Sequence, residues 1–244
     1  MRKKSNHDKS ETVRTILYAI LIALTVRTFA FEPFNIPSGS MQPNLLIGDY
    51  LFVSKYSYGY SRHALPFSVP LFPGRLAPRA PQRGDVAVFK VPTDNKTDYI
   101  KRVIGLPGDR IQVVGGMLRI NGIPVTRERI EDFVAEDGYG NAHVYVQYLE
   151  TLPNGVRHKM IEMSDDTPFD NTREFVVPPE HYFMMGDNRD NSTDSRSLVG
   201  YVPFENFVGR AEILFFSIDK RAHLWEIWKW PWAVRFTRLL DGID

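Results

Sequence analysis

The chain of 244 residues contains no cysteine. This absence excludes disulfides, thiolate metal sites and a cysteine nucleophile together. The six histidines show no HExxH or other paired spacing, so a zinc site has little support and we expect no metal and no cofactor. The formal net charge is only +1, and no long run of Lys and Arg follows the amino terminus, so we expect no nucleic-acid partner.

Hydrophobic residues are abundant, at 43% of the chain, which is typical of an ordered protein. After residue 45 the sequence breaks into short alternating segments such as DYLFVSKY, GDVAVFKVP and RAEILFFSI. Alternation with period two and many β-branched and aromatic residues predicts antiparallel strands. Asn121-Gly122 and Asn154-Gly155 separate such segments, and Asn-Gly favours tight hairpin turns. We therefore expect a mainly β fold.

The amino-terminal segment places five Lys and Arg before an apolar run, which predicts that the amino end stays in the cytoplasm. Residues 16–26 alone have the length of a signal-peptide h-region, with Thr28-Phe29-Ala30 as its cleavage site. Residues 13–31 instead have the length of a transmembrane anchor, provided that Arg27 lies at the outer interface. Both interpretations deliver the rest of the chain to the outer side of the membrane.

Three further regions stand apart from the strand pattern. Residues 65–82 are rich in proline, which predicts a long surface loop. Residues 126–173 are polar and irregular, contain a predicted hairpin (HVYVQYLE, then VRHKMIEM) and resemble an insertion into a common core. The carboxyl-terminal LWEIWKWPWAVRFTRLL holds all four tryptophans among basic residues. It suits either a membrane interface or packing of the rings on the β core.

The segment PSGSM places two hydroxyls, Ser38 and Ser40, on either side of one glycine. A serine is a poor nucleophile unless a base takes its proton, so a catalytic Ser40 needs a partner elsewhere in the chain. A turn or helix cap is the commoner role of a serine in this setting.

The segment DYIKRVIGLPGD surrounds Lys101 with apolar residues in a strand pattern. Burial lowers the pKa of a lysine because the charged form loses most, and a neutral lysine is a general base. The alternative is a lysine on the polar side of a strand, facing water.

The segment GDNRDNSTDSRSLVG alternates acidic and basic residues and can hold a catalytic group through internal ion pairs, for example Asp194 with Arg196. A solvated turn is the alternative, and the segment lacks the Gly and Glu of a calcium-binding EF-hand loop. No G-x-S-x-G elbow occurs, and SIDK matches S-x-x-K without a K-T-G partner. Serine with lysine is a recognised variant of the catalytic triad, and these segments favour it.

Four segments in order, EPFNIPSGSMQPNLLIGDY, RGDVAVFK, DYIKRVIGLPGD and GDNRDNSTDSR, resemble bacterial type I signal peptidase, the leader peptidase family of Ser-Lys proteases. The similarity runs from about Phe29 to Glu212. It implies a membrane-bound serine endopeptidase that removes signal peptides from exported preproteins by cutting after Ala-x-Ala.

By this resemblance, Ser40 is expected to be the nucleophile and Lys101 the general base. Ser38 and the Ser40 backbone N–H would form the oxyanion hole, and Ser192 would orient the lysine amine. The residues expected to support the site through ion pairs are Arg102, Asp194 and Arg196. The residues expected to line small apolar pockets for substrate positions −1 and −3 are Phe34, Ile36, Pro37, Val88, Tyr99 and Ile100.

The same resemblance implies one amino-terminal transmembrane helix followed by an antiparallel β catalytic domain with an inserted smaller β domain. The expected boundaries are 1–12 for a cytoplasmic basic end, 13–31 for the anchor, 32–109 with 186–220 for the catalytic domain, 110–185 for the insertion and 221–244 for the Trp-rich end. A single pass through the bacterial inner membrane would place the catalytic domain on the periplasmic or extracytoplasmic side. Preprotein signal peptides, membrane lipid and the translocation machinery are the expected partners.

Two other functions compete with this one. The first is a Ser-Lys protease with a different substrate, such as a dedicated processing peptidase or a self-cleaving repressor, although an amino-terminal span disfavours a cytoplasmic repressor. The second is a membrane-anchored β scaffold without activity, which a protonated and exposed Lys101 would favour.

Overall fold

A computed structural model describes residues 4–65, 68–69, 71–136, 142–164, 167–219 and 226–243. In chain order its helices and strands are α1 (Lys4–Phe29), β1 (Phe31–Asn35), β2 (Asp49–Ser54), β3 (Val86–Lys90), β4 (Asp98–Gly105), β5 (Arg110–Val114), β6 (Met117–Ile120), β7 (Ile123–Pro124), β8 (Thr126–Arg129), β9 (Phe133–Glu136), β10 (Ala142–Thr151), β11 (Arg157–Glu162), β12 (Phe175–Val176), β13 (His181–Met185), β14 (Val202–Pro203), β15 (Phe207–Ser217) and α2 (Trp230–Ala233).

The central sheet has seven strands in the order β1-β2-β15-β3-β4-β13-β14, and all of its pairings are antiparallel. Two four-stranded sheets lie beside it, β12-β5-β6-β7 and β11-β10-β8 with β9 paired to β10. The prediction of a mainly β, antiparallel fold is therefore confirmed. The central sheet includes β13, so it extends into the range expected for the insertion; the division into two domains stays a prediction.

Hairpin turns occur where the Asn-Gly pairs predicted them. Asn121 and Gly122 have φ angles of 54° and 79° and join β6 to β7, with Ile120 paired to Ile123. Gly155 has a φ angle of 86° in the turn between β10 and β11. The hairpin predicted within residues 126–173 is thus confirmed as β10 and β11.

A buried apolar cluster fixes the loop that follows β1. Ile36 is 2% exposed before this loop, and Met41 and Leu45 are 0% and 1% exposed after Ser40. The backbone N–H of Leu45 donates to the Met41 carbonyl at 2.9 Å, which closes a helical turn. Because apolar side chains anchor the loop on both sides, Ser40 has a defined position above the sheet.

Helix α1 is long and apolar enough to cross a membrane by length and composition, over Glu11–Phe29 with a mean hydropathy of 1.5. It ends at Phe29, and Phe31 already pairs in β1, so the helix ends two residues before the expected end of the anchor. Arg27 pairs with Glu32 at 3.1 Å, and the Phe29 ring lies 6.0 Å from the ring of Tyr60. The helix therefore joins the central sheet without a linker.

The described tryptophans near the carboxyl terminus differ in their surroundings: one packs on the β core and two are exposed. The Trp230 ring packs on Phe216 of β15 at 5.2 Å, as expected for packing on the β core. Trp228 and Trp232 are 64% and 78% exposed, and their contact with lipid stays a prediction. Trp225 lies outside the described residues.

Candidate active site

Ser40 and Lys101 meet although they are far apart in sequence. Ser40 lies in the turn after β1, and Lys101 lies on β4. The Lys101 Nζ donates to the Ser40 Oγ at 2.5 Å. Lys101 is 4% exposed and Ser40 is 7% exposed, so Lys101 does not face water. A hydroxyl and an amine at this distance can act as a nucleophile and its base.

The pKa of Lys101 is lowered to about 8. Burial is the main cause, because the charged form loses its hydration. The carboxylates of Asp194 and Asp187 oppose this shift. A large fraction of Lys101 is therefore neutral in mildly alkaline solution, as a general base requires.

The hydroxyls of Ser38 and Ser192 lie on the same cleft as this pair. The Ser38 Oγ is 3.5 Å from the Ser40 Oγ. Ser192 is 6% exposed, but within the described ranges no hydrogen bond joins its hydroxyl to Lys101. The orienting role of Ser192 stays a prediction.

Gly186 allows the loop after β13 to approach the Ser40 loop. A Cβ at this position would fall far inside contact distance of the Ser192 Oγ and the Ser40 carbonyl oxygen. Two residues later, the Asn188 backbone N–H donates to the same carbonyl at 3.1 Å. Only a glycine permits this approach without displacing the serine loop.

Two buried ion pairs support the site. Asp194 pairs with Arg196 at 2.9 Å and accepts the backbone N–H of Gly186. Arg102 donates to both carboxylate oxygens of Asp187, at 2.9 and 2.8 Å. Asp187 was not predicted, although it lies in the same acidic and basic segment. Burial alone would raise the pKa of both aspartates, but the arginines outweigh it and hold each pKa below its usual range.

A second buried network connects the site to the hairpin of β10 and β11. Glu150 on β10 accepts two hydrogen bonds from Arg189, at 3.0 and 2.5 Å. His158 on β11 lies 3.3 Å from Glu150. Sequence reasoning missed these residues, because Glu150 and His158 lie outside every motif and their partner is distant along the chain.

The network also fixes the backbone of residues 186–197, the loop after β13, which we call the catalytic loop. Ile161 of β11 donates to the Asp187 carbonyl at 2.9 Å, and Arg189 donates to the Ile161 carbonyl at 2.9 Å. Burial alone would raise the pKa of Glu150, but Arg189 outweighs it and holds the pKa well below its usual range. Burial lowers the pKa of His158. The hairpin is thus a rigid support for the loop that contacts Ser40.

One cleft of about 660 Å³ extends from Ile100 to the end of α1. It is lined by all six residues predicted for the substrate pockets, namely Phe34, Ile36, Pro37, Val88, Tyr99 and Ile100. Their role in substrate binding stays a prediction. In the described part of the chain no cluster of three or more His, Asp or Glu residues is placed to hold a metal ion.

Residues 9–216 match the family model described as signal peptidase, peptidase S26. Signal peptidase I of Rickettsia typhi is 42% identical over 227 residues, covering 87% of this chain and 84% of the relative. Signal peptidase I of Rickettsia canadensis is 40% identical over 224 residues, covering 88% and 83%. A solved signal peptidase I from Enterococcus faecalis is 26% identical with a TM-score of 0.33, and the alignment covers 54% of this chain and 97% of that one.

The buried network yields a stability prediction. Glu150→Gln leaves the Arg189 charge buried without its counter-ion, so we expect the free energy of unfolding to fall by about 3 kcal/mol. Denaturant unfolding of the full chain in detergent, followed by tryptophan fluorescence, measures this change. The matched control is Glu128→Gln, whose partner Arg157 lies 3.4 Å away on the surface, and which we expect to cost less than about 0.5 kcal/mol. Equal losses in the two variants would contradict the prediction.

Proposed function

Since the chain belongs to the signal peptidase family, peptidase S26, whose members remove signal peptides, we propose that it does so with a Ser40–Lys101 dyad. The observation that carries this proposal is the 2.5 Å hydrogen bond between the buried Lys101 Nζ and the Ser40 Oγ.

The proposed reaction begins with neutral Lys101, which takes the proton of the Ser40 hydroxyl. The Ser40 Oγ forms a bond to the carbonyl carbon of substrate residue −1, and the Ser38 hydroxyl donates to the developing oxyanion. The C–N bond then breaks, and Lys101 returns the proton to the leaving amine of the mature protein. An ester between Ser40 and the signal peptide remains.

Water completes the cycle in the same site. Lys101 takes a proton from the water as its oxygen attacks the ester carbon, and the ester bond breaks. The proton passes to the Ser40 oxygen, and the signal peptide leaves with a free carboxylate. Lys101 thus serves as base and acid in turn, as a group with a pKa near 8 allows.

Specificity for small residues follows from the cleft. Phe34 of β1, Val88 of β3, and Tyr99 and Ile100 of β4 line it, and Val88 and Ile100 are paired side by side in the central sheet. β1 is the edge strand of the central sheet. Among the described residues no strand pairs with its outer edge, so this edge can accept an extended peptide. Large side chains on the lining leave room for small substrate side chains such as alanine at −1 and −3. An Ala-x-Ala site has small side chains at both positions.

We also propose that α1 remains attached as a single-pass anchor in the inner membrane, with the amino end cytoplasmic and the sheets outside. The helix runs directly into β1, and no residue of its apolar stretch is buried against the protein. A shared membrane surface raises the effective concentration of a substrate held by its own h-region. In this placement α1 remains in contact with membrane lipid. Delivery of the preprotein by the translocation machinery is compatible with it.

The inactive scaffold is less well supported, because an exposed and protonated Lys101 would have favoured it and Lys101 is buried. A Ser-Lys protease with another substrate remains the stronger alternative. Cleavage of a defined substrate is the measurement that distinguishes such a protease from one that removes signal peptides.

The dyad is tested by cleavage of a model preprotein carrying an Ala-x-Ala site. We expect wild type to cut after the second Ala, and Ser40→Ala and Lys101→Met to be inactive while still folded. Ser38→Ala loses one oxyanion donor and should retain roughly one hundredth of the activity. Lys96→Met, at an exposed lysine before β4, is the matched control and should remain active. Substantial activity in folded Lys101→Met would overturn the dyad.

The rate of cleavage is expected to increase with pH. Lys101 must be neutral to act as a base, so kcat/KM should rise about tenfold per pH unit below its pKa of about 8 and level off above it. Initial rates between pH 6 and pH 10, with folding monitored at each pH, measure this profile. A rate that stays flat or falls as pH rises through 8 would rule out a neutral lysine base.

The anchor is tested in cells. We expect the full chain to stay in the membrane fraction after alkaline carbonate extraction, because Glu11–Phe29 spans the bilayer. Protease added outside spheroplasts should digest the β sheets. Release by carbonate, or protection until the cells are lysed, would contradict the proposed topology.

A further inference from the structure

Ser40 and Lys101 lie on a second part of the cleft, which adjoins the part proposed to hold −1 and −3. This second part has a volume of about 570 Å³ and shares Pro37 and residues 98–100 with the first. Its own lining adds Phe169 and residues 190–193, which do not border the first part. A peptide bound across Ser40 with −1 and −3 in the first part can therefore carry the residues after the scissile bond toward Phe169.

Phe169 is held in place from two sides. Its turn is closed by a hydrogen bond from Asp170 N to Thr167 O at 3.1 Å. Asp190 of the catalytic loop accepts the Thr167 hydroxyl at 2.8 Å and the Met163 backbone N–H at 2.6 Å. The segment that carries Phe169 is thus tied directly to the loop that carries Ser192.

The ring itself rests on a fixed cation. The Arg196 guanidinium lies 5.3 Å from the centre of the Phe169 ring, and Arg196 is bound by Asp194 at 2.9 Å. Phe169 is only half-buried, so part of its surface faces the cleft. A ring that is already immobilised loses little conformational entropy when a substrate side chain packs on it.

We infer that Phe169 forms an apolar subsite for the second residue of the mature protein, position +2. The inference rests on the proposed function, which fixes where the scissile bond lies. In an extended peptide side chains alternate, so +2 points to the same side as −1 and −3. Phe169 is therefore a specificity-determining residue, and it favours an apolar side chain at +2.

The experiment compares two model preproteins that differ only at +2, one with Leu and one with Gly, both with the same Ala-x-Ala site. We expect the full-length wild type in detergent to cut the Leu substrate with about tenfold higher kcat/KM, mainly through a lower KM. Phe169→Ala should bring this ratio close to one, and Phe169→Leu should keep most of it.

The ratio separates binding from folding, since a merely structural defect lowers kcat/KM for both substrates and leaves the ratio unchanged. Phe236→Ala is the control, because its ring is 62% exposed on the carboxyl-terminal segment and it should keep the wild-type ratio. A wild-type ratio of one, or an unchanged ratio in Phe169→Ala, would overturn the subsite alone. If wild type cut neither substrate, the proposed function would fail, and this inference with it.

Discussion

The burial of Lys101 beside Ser40 is the constraint on which the rest of the structure depends. A lysine amine is mostly protonated near neutral pH unless its pKa is lowered, as burial does here, yet Asp187 and Asp194 lie close enough to stabilise its charged form. Each aspartate is paired with a buried arginine, which neutralises much of its field. The ion pairs around the site therefore do more than hold a loop. They let carboxylates stand near a lysine without keeping it protonated.

These buried pairs also explain how a loop on the sheet gains a fixed geometry. Removing charges from water costs free energy that their attraction only partly returns, so they are weak evidence for stability. Here the ion pairs matter because they hold the loop in position. Arg189 reaches Glu150 on the hairpin of β10 and β11, while Asn188 donates to the Ser40 carbonyl. The hairpin, the catalytic loop and the serine loop consequently form one rigid unit, and Phe169 is attached to it through Asp190.

The position of the serine loop also depends on the amino-terminal helix α1. In the proposed topology α1 spans the bilayer and continues into β1 without a linker, which would keep the serine loop at the far end of β1 at a nearly constant distance from the bilayer. The proposed substrate is confined to that surface too. A rigid connection therefore favours cleavage sites at a matching distance from the membrane, and the cleft begins beside the end of α1.

The sequence by itself determined the strands, the Asn-Gly turns and the apolar helix, because each depends on neighbouring residues and on periodicity. It also singled out Ser40 and Lys101 as the candidate nucleophile and base, through two motifs and the family they resemble. Only the tertiary structure decided that Lys101 is buried, that Arg102 pairs with Asp187, that Glu150 contacts Arg189 and His158, and that Phe169 lines the same cleft as Ser40. These facts depend on contacts between segments far apart in the chain, and a local pattern carries no information about which distant side chain fills the space beside it.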